Sequence, residues 1–166
     1  MSVTNNFIFD RSPLDVERWR KLRDKGWANM ADSERQEWLF EVLPTPSAAK
    51  GMYTHNDLNR VENGVKELAI KLKKMGYRVP AMDIKTNWTY KDTLTKAEMA
   101  RYLSNIETIR GITVVYSDTP KTPSIDKKFD HSKANDIEKI LHDVFTIANK
   151  TMDSWCYAGE IISGEV

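Results

Sequence analysis

Asn56-Asp57-Leu58-Asn59-Arg60-Val61-Glu62-Asn63-Gly64-Val65-Lys66-Glu67-Leu68-Ala69-Ile70-Lys71-Leu72-Lys73-Lys74-Met75-Gly76 is the stretch on which the fold turns. Leu58, Val61, Val65, Leu68, Leu72 and Met75 recur every three or four residues, the spacing of one face of an α-helix. Thr54 or Asn56 can cap the start, Asp57 suits the first turn, and Gly76 suits the position just past the end. Lys71, Lys73 and Lys74 complement the negative end of the helix dipole. Gly64 costs about 1 kcal/mol relative to Ala at mid-helix, which is consistent with a close helix crossing there.

Helical signals flank this stretch on both sides. Upstream, Ser12-Pro13 reads as an N-cap and first helical residue, followed by Leu14, Val16, Trp19 and Leu22 and stopped by Gly26. A second short helix opens at Asp32-Ser33, carries Trp38, Leu39 and Val42, and ends at Pro44-Thr45-Pro46; residues 44–51 read as a linker. Downstream, Thr95 and Glu98 have capping-box spacing ahead of Met99, Tyr102, Leu103, Ile106 and Ile109, with Gly111 as the stop. A fifth helix opens at Ser132 and carries Ile137, Ile140, Leu141, Val144, Ile147 and Ala148.

Three segments read differently. Ile84-Lys85-Thr86-Asn87-Trp88-Thr89-Tyr90 alternates and is β-prone, Ile112 to Tyr116 has the composition of a strand, and the tail from Trp155 to Val166 is also β-prone. The expected fold is therefore mainly α: about five helices in a small bundle, with short β-prone segments near 84–90 and at the C-terminal tail. The expected organisation is an N-terminal helical pair over residues 1–46, a main helical domain over 47–154 and a β-prone tail over 155–166.

The 166 residues carry 25 Lys and Arg against 24 Asp and Glu, with 40% hydrophobic residues. That balance excludes a disordered chain. It also removes the usual electrostatic reason to bind a phosphate backbone, so no nucleic-acid partner is expected. No stretch approaches the ~20 apolar residues of a membrane span, so no membrane partner is expected either. Cys156 is the one cysteine, which excludes an intrachain disulfide and fits a reducing cytoplasm.

Candidate chemistry is sparse. His55, His131, His142 and Cys156 are the soft metal-ligand candidates, and none has zinc-site spacing, so no metal or cofactor is expected. Cys156 lies between Trp155 and Tyr157, an apolar setting that disfavours a thiolate. There is no phosphate loop and no nucleophile elbow. Glu62 has i,i+4 spacing to Lys66 and reads as half of a surface ion pair. Glu160 and Glu165 do not read as a converging pair of carboxylates. The reading is non-enzymatic, with no catalytic residues.

Trp19, Trp27, Trp38, Trp88 and Trp155 are the compositional anomaly. They serve either to pin small helices to a shared core or to anchor a partner chain. With Arg60, Tyr157, Glu160, Ile161 and Ile162 they make up the candidate interface set, the tail residues as a strand added to a neighbour's sheet. Arg60 can bridge to a carboxylate in a neighbouring element with two parallel hydrogen bonds.

Several blocks carry a family resemblance. They are Phe9-Asp10-Arg11-Ser12 with Asp15-Val16, Lys25-Gly26-Trp27, Glu37-Trp38-Leu39, Asp57-Leu58-Asn59-Arg60-Val61-Glu62, Asn87-Trp88, Ala134-Asn135-Asp136-Ile137-Glu138, and Gly159-Glu160 with Gly164-Glu165. In that order, over nearly the whole chain, they resemble a helical module of structural proteins from the tail, baseplate and fibre region of Firmicutes phages and phage-tail-like particles. The family often ends in a cysteine-bearing pattern; Ala158 and Ser163 stand at those cysteine positions here. The resemblance implies a non-enzymatic component of a phage tail or contractile tail-like particle, at the baseplate or fibre attachment. Its partners would be other particle subunits or further copies of itself, and it would be assembled in the bacterial host cytoplasm and carried in the particle. A receptor- or glycan-binding module at a fibre tip, with Trp and Tyr stacked on sugar rings, is the alternative expectation.

Overall fold

A computed structural model describes residues 7–38, 50–124 and 128–162, with side chains described through Trp155. Within those residues the elements are α1 (Pro13–Lys25), a 3-10 turn (Trp27–Asn29), α2 (Asp32–Trp38), α3 (His55–Lys74), α4 (Lys96–Ile112) and α5 (His131–Ile162). The core is a three-helix arrangement in which α3, α4 and α5 pack mutually.

The apolar stripes of these three helices close on each other. Val61, Leu68 and Leu72 of α3, Ile106 and Ile109 of α4, and Ile137, Ile140, Leu141, Val144 and Ala148 of α5 are fully buried. The caps follow the sequence. Ser12 and Asp15 form a capping box on α1, and Thr54 and Asp57 form one on α3. Thr95 accepts from the Glu98 N–H at the start of α4. α5 begins one residue ahead of Ser132, where Asp130 accepts from the Lys133 N–H. Gly26 and Gly76 take positive φ (73° and 84°) just past α1 and α3, where a side chain would be strained.

The β-prone expectation is corrected: among the described residues there is no strand. Residues 84–89 lie outside any helix or strand and Tyr90 enters a turn; three backbone groups of the segment are taken by side chains of α3 rather than by a second strand. The Trp88 N–H and C=O both bond to the Asn59 amide, and the Lys85 N–H bonds to Glu62. Residues 114–116 are likewise outside any ladder, with Val114 standing 88% exposed. The tail reading fails for a different reason. α5 runs without a break through Trp155 to Ile162, so the expected tail, over its described residues, continues the helix instead of starting a strand. Once a helix is established, each added residue gains a hydrogen bond, and that outweighs a weak, context-dependent β preference. At 32 residues α5 is about 48 Å long, against about 30 Å for the 20 residues of α3.

The N-terminal pair is slighter. α1 buries Leu22, and α2 buries no residue. The two helices meet through Trp19 and Trp38, stacked at 4.2 Å between ring centroids, and through ion pairs from Arg18 to Glu37 and Lys25 to Glu34. Gly51 lets the chain re-enter the body: a Cβ there would lie 2.1 Å from the Asp15 carbonyl oxygen. The readings at Leu39, Val42 and Pro44-Thr45-Pro46 lie outside the described residues.

Candidate functional site

Three of the blocks that carried the resemblance, at 9–12, 57–62 and 134–138, meet around Arg11, Asp57, Arg60 and Glu138. Residues 7–12 form an extended strap across α3 and α5, ahead of α1. Its Arg11 side chain, 2% exposed, reaches Glu138 at 2.7 Å and Asp57 at 3.0 Å. Arg60 reaches the same two carboxylates, Glu138 at 2.8 Å. Two guanidiniums and two carboxylates thus balance in a largely buried site, where pairing is the condition under which buried charge is tolerated. Burial works against the Arg60 charge, but Glu138 and Asp57 outweigh it and hold the guanidinium above its ordinary pKa. The strap backbone is held too. Ile8 N–H donates to Glu138 Oε2 at 2.7 Å, and the Asn135 amide bonds both the N–H and the C=O of Arg11, at 3.0 and 2.9 Å. Beside this cluster the Tyr53 and Tyr102 hydroxyls share a hydrogen bond, and burial pushes both phenols above their usual pKa.

A second clamp holds the connector between α3 and α4. Glu62, with a side chain 1% exposed, accepts from Arg101 at 2.6 Å, from the Lys85 N–H at 3.1 Å and from the Trp88 indole at 3.4 Å. Arg101 and Asn105 also donate to the Asp83 carbonyl, at 2.7 and 2.6 Å. The surface pair expected between Glu62 and Lys66 is replaced by this inward network. A third clamp holds the connector ahead of α5: Asp143 accepts from Thr119 at 2.7 Å and from Lys139 at 2.8 Å, and Arg110 donates to the Pro120 carbonyl. Burial alone would raise the Asp143 pKa, but the bonds from Lys139, Thr119 and His142 hold it below the ordinary carboxylate value.

The candidate interface residues separate into groups. Arg60 and Trp88 turn inward: Arg60 spans Asp57 and Glu138, and Trp88 is 3% exposed in the core. Trp19 and Trp38 face each other and are half-buried. Trp27 is 48% exposed beneath the Arg35 guanidinium, and Trp155 is 53% exposed near the end of α5. Tyr157, Glu160, Ile161 and Ile162 lie on the last turns of α5, beyond the described side chains. Arg11, Asp57, Glu62, Asn135 and Glu138 were missing from the candidate set, although the sequence held a signal for two of the acids, Glu62 and Glu138. Glu62 is four residues past Leu58 and three before Val65, and Glu138 is four past Ala134 and three before Leu141, so both fall on the apolar face.

His55 and His131 open α3 and α5, while the His142 ring packs 5.0 Å from Phe9. Among the described residues no group of three or more His, Cys, Asp or Glu side chains is arranged to hold a metal ion. No described helix is long and apolar enough to cross a membrane. A cleft of about 230 Å³ lies between the strap, the turn at 50–53 and the start of α5, with Arg20, Lys50, Tyr53 and His131 in its lining. It is smaller than the ~300 Å³ at which ligand pockets begin. Comparison with family models, with curated proteins and with solved structures gives no match to this chain.

Proposed function

We propose that this chain is a non-enzymatic structural subunit that works through protein–protein contacts. The observation that carries the reading is the exposure of Trp27 and Trp155, the two tryptophans left largely in solvent while Trp88 is buried in the core and Trp19 and Trp38 cover each other. Exposed Trp is costly for a free chain and is the residue type most enriched where partners dock. The contact mode is a helical surface, since α5 continues through residues 155–162. Placement in a phage tail or contractile tail-like particle, at the baseplate or fibre attachment, rests on the sequence resemblance alone.

The test is particle incorporation. Particles from the host that encodes the chain are purified, and the chain is located by labelled electron microscopy. Label at a fixed site on the tail supports the placement, and particles devoid of the chain refute it. Trp27→Ala and Trp155→Ala in the full chain separate the wider reading from the placement. Each variant should keep the wild-type melting temperature while losing partner binding or incorporation. Variants that assemble like wild type would remove the basis of the proposal.

A further inference from the structure

We propose that the groove between α3 and α5 is a receptor for an extended aromatic-x-aromatic-x-Arg segment, and that between molecules it takes residues 7–12 of a second copy of this chain. This goes beyond the proposed function and holds whether or not the chain belongs to a particle.

The strap is bound to its own chain in the way a peptide ligand is bound. It belongs to no helix or strand. Asn135 grips the Arg11 main chain from both sides, and Glu138 takes the Ile8 N–H. Phe7 lies over Gly64, where the missing side chain makes room for its ring, and packs on Phe145 with centroids 5.9 Å apart. Phe9 packs on His142. Every one of these partners sits on α3 or α5.

Charge sets what the groove accepts. With Arg11 absent, Asp57 and Glu138 face Arg60 alone, two buried carboxylates against one guanidinium. An occupant must bring a cation to that point: Arg11 meets both carboxylates through Nη2 while Nη1 donates to the Ile8 carbonyl, a division of planar donors that Arg offers and the compact Lys ammonium does not. A second copy supplies that Arg at the same register, with the same two aromatics ahead of it.

The strap is also positioned to be donated. It ends at Ser12, in extended conformation (φ −120°, ψ 162°), and leads into α1, which buries only Leu22. Exchange of an identical element between protomers keeps every contact of the closed form and changes only its chain of origin. Strap exchange would therefore join subunits without a new interface.

The first experiment uses a labelled synthetic peptide of residues 7–13 and full-length chain carrying Arg11→Ala, which removes the strap's ion pairs to Asp57 and Glu138 and so weakens its hold on the groove. The peptide should bind this variant roughly tenfold or more tightly than it binds wild type, whose groove is filled. A peptide with Ala in place of its Arg should bind roughly tenfold or more weakly, the loss expected of a charge-assisted pair. Equal binding of the two peptides, or none to a folded variant, overturns the receptor. The second experiment does not depend on that variant folding. Tagged and untagged wild-type chains are mixed at high concentration, warmed to the onset of unfolding and cooled, and the tagged chain is captured. Mixed dimers that disappear when residues 1–11 are deleted support exchange. Monomers alone, or mixed dimers that survive the deletion, overturn it.

Discussion

Glu138 Oε1 lies 2.7 Å from Arg11 Nη2, joining residues 127 positions apart at a carboxylate with no exposed surface. The same carboxylate holds Arg60, so one side chain in the first half of α5 fixes both the strap and α3. Glu138→Ala would leave two buried guanidiniums facing Asp57 alone. The expected cost in urea unfolding is about 3–5 kcal/mol, the range for breaking a buried pair from one side. With Arg11→Ala added, the double variant should be more stable than the sum of the single losses predicts, by about 0.5–3 kcal/mol. Additive losses would mean that the two residues do not act as a unit.

Asn59→Ala isolates the second clamp. Asn59 bonds both backbone groups of Trp88 at 2.8 Å, so its loss leaves a half-buried N–H and C=O without partners. The expected cost is about 1–3 kcal/mol. Trp88 fluorescence should shift to the red as its ring loosens from the core. An unshifted spectrum with unchanged stability would show that the connector holds without Asn59.

The helices were legible in the sequence because each is written as a local period. Leu58 to Met75 and Ile137 to Ala148 announce their faces within a few turns, and Ser12, Thr54 and Thr95 announce their starts. The clamps were not legible as clamps. Arg11 and Asn135 meet across 124 residues, and nothing local says that a charged strap will be buried. Glu62 and Glu138 were half legible, since their place on the apolar stripe conflicts with the solvated surface role given to Glu62. The β-prone segments misled because alternation and branched side chains describe an extended chain without naming its partner. At 84–90 that partner is a row of helix side chains, and beyond Trp155 helix propagation overrides the local preference.

Two glycines should respond in opposite ways to alanine. At Gly51 the new Cβ would meet backbone, 2.1 Å from the Asp15 carbonyl oxygen and 2.9 Å from Trp19 Cβ, and neither can yield cheaply. Gly51→Ala should cost about 1–3 kcal/mol, as an overpacked site does. At Gly64 the nearest atom is Phe7 Cζ at 2.8 Å, the far end of a side chain on the strap. There the helix gains about 1 kcal/mol from Ala, so Gly64→Ala should be near neutral in thermal unfolding while displacing the Phe7 ring. The reverse order of the two variants would contradict this packing.

Asp143 links the third clamp to pH. Its folded pKa is depressed, held down by Lys139, Thr119 and His142 against the effect of burial. A depressed carboxylate stabilises the fold above its unfolded value, about 3.9, and the contribution is lost as pH falls below that through the folded value. Asp143→Asn should therefore melt below wild type at neutral pH, and the gap should narrow as pH drops below about 4. A gap that stays constant into that range would show that no proton-linked stability resides at Asp143.

Polar side chains of the helices hold the strap and the first connector onto the core. Amide hydrogen exchange tests this hold at four positions outside any helix: Ile8, Arg11, Lys85 and Trp88. Their N–H groups bond to Glu138, Asn135, Glu62 and Asn59 respectively. These amides should exchange as slowly as the buried helical amides of Val61 and Leu141, because they open only when the bundle opens. Exchange at the rate of unprotected loop amides, with Val61 and Leu141 still protected, would show that these side chains do not hold the two segments.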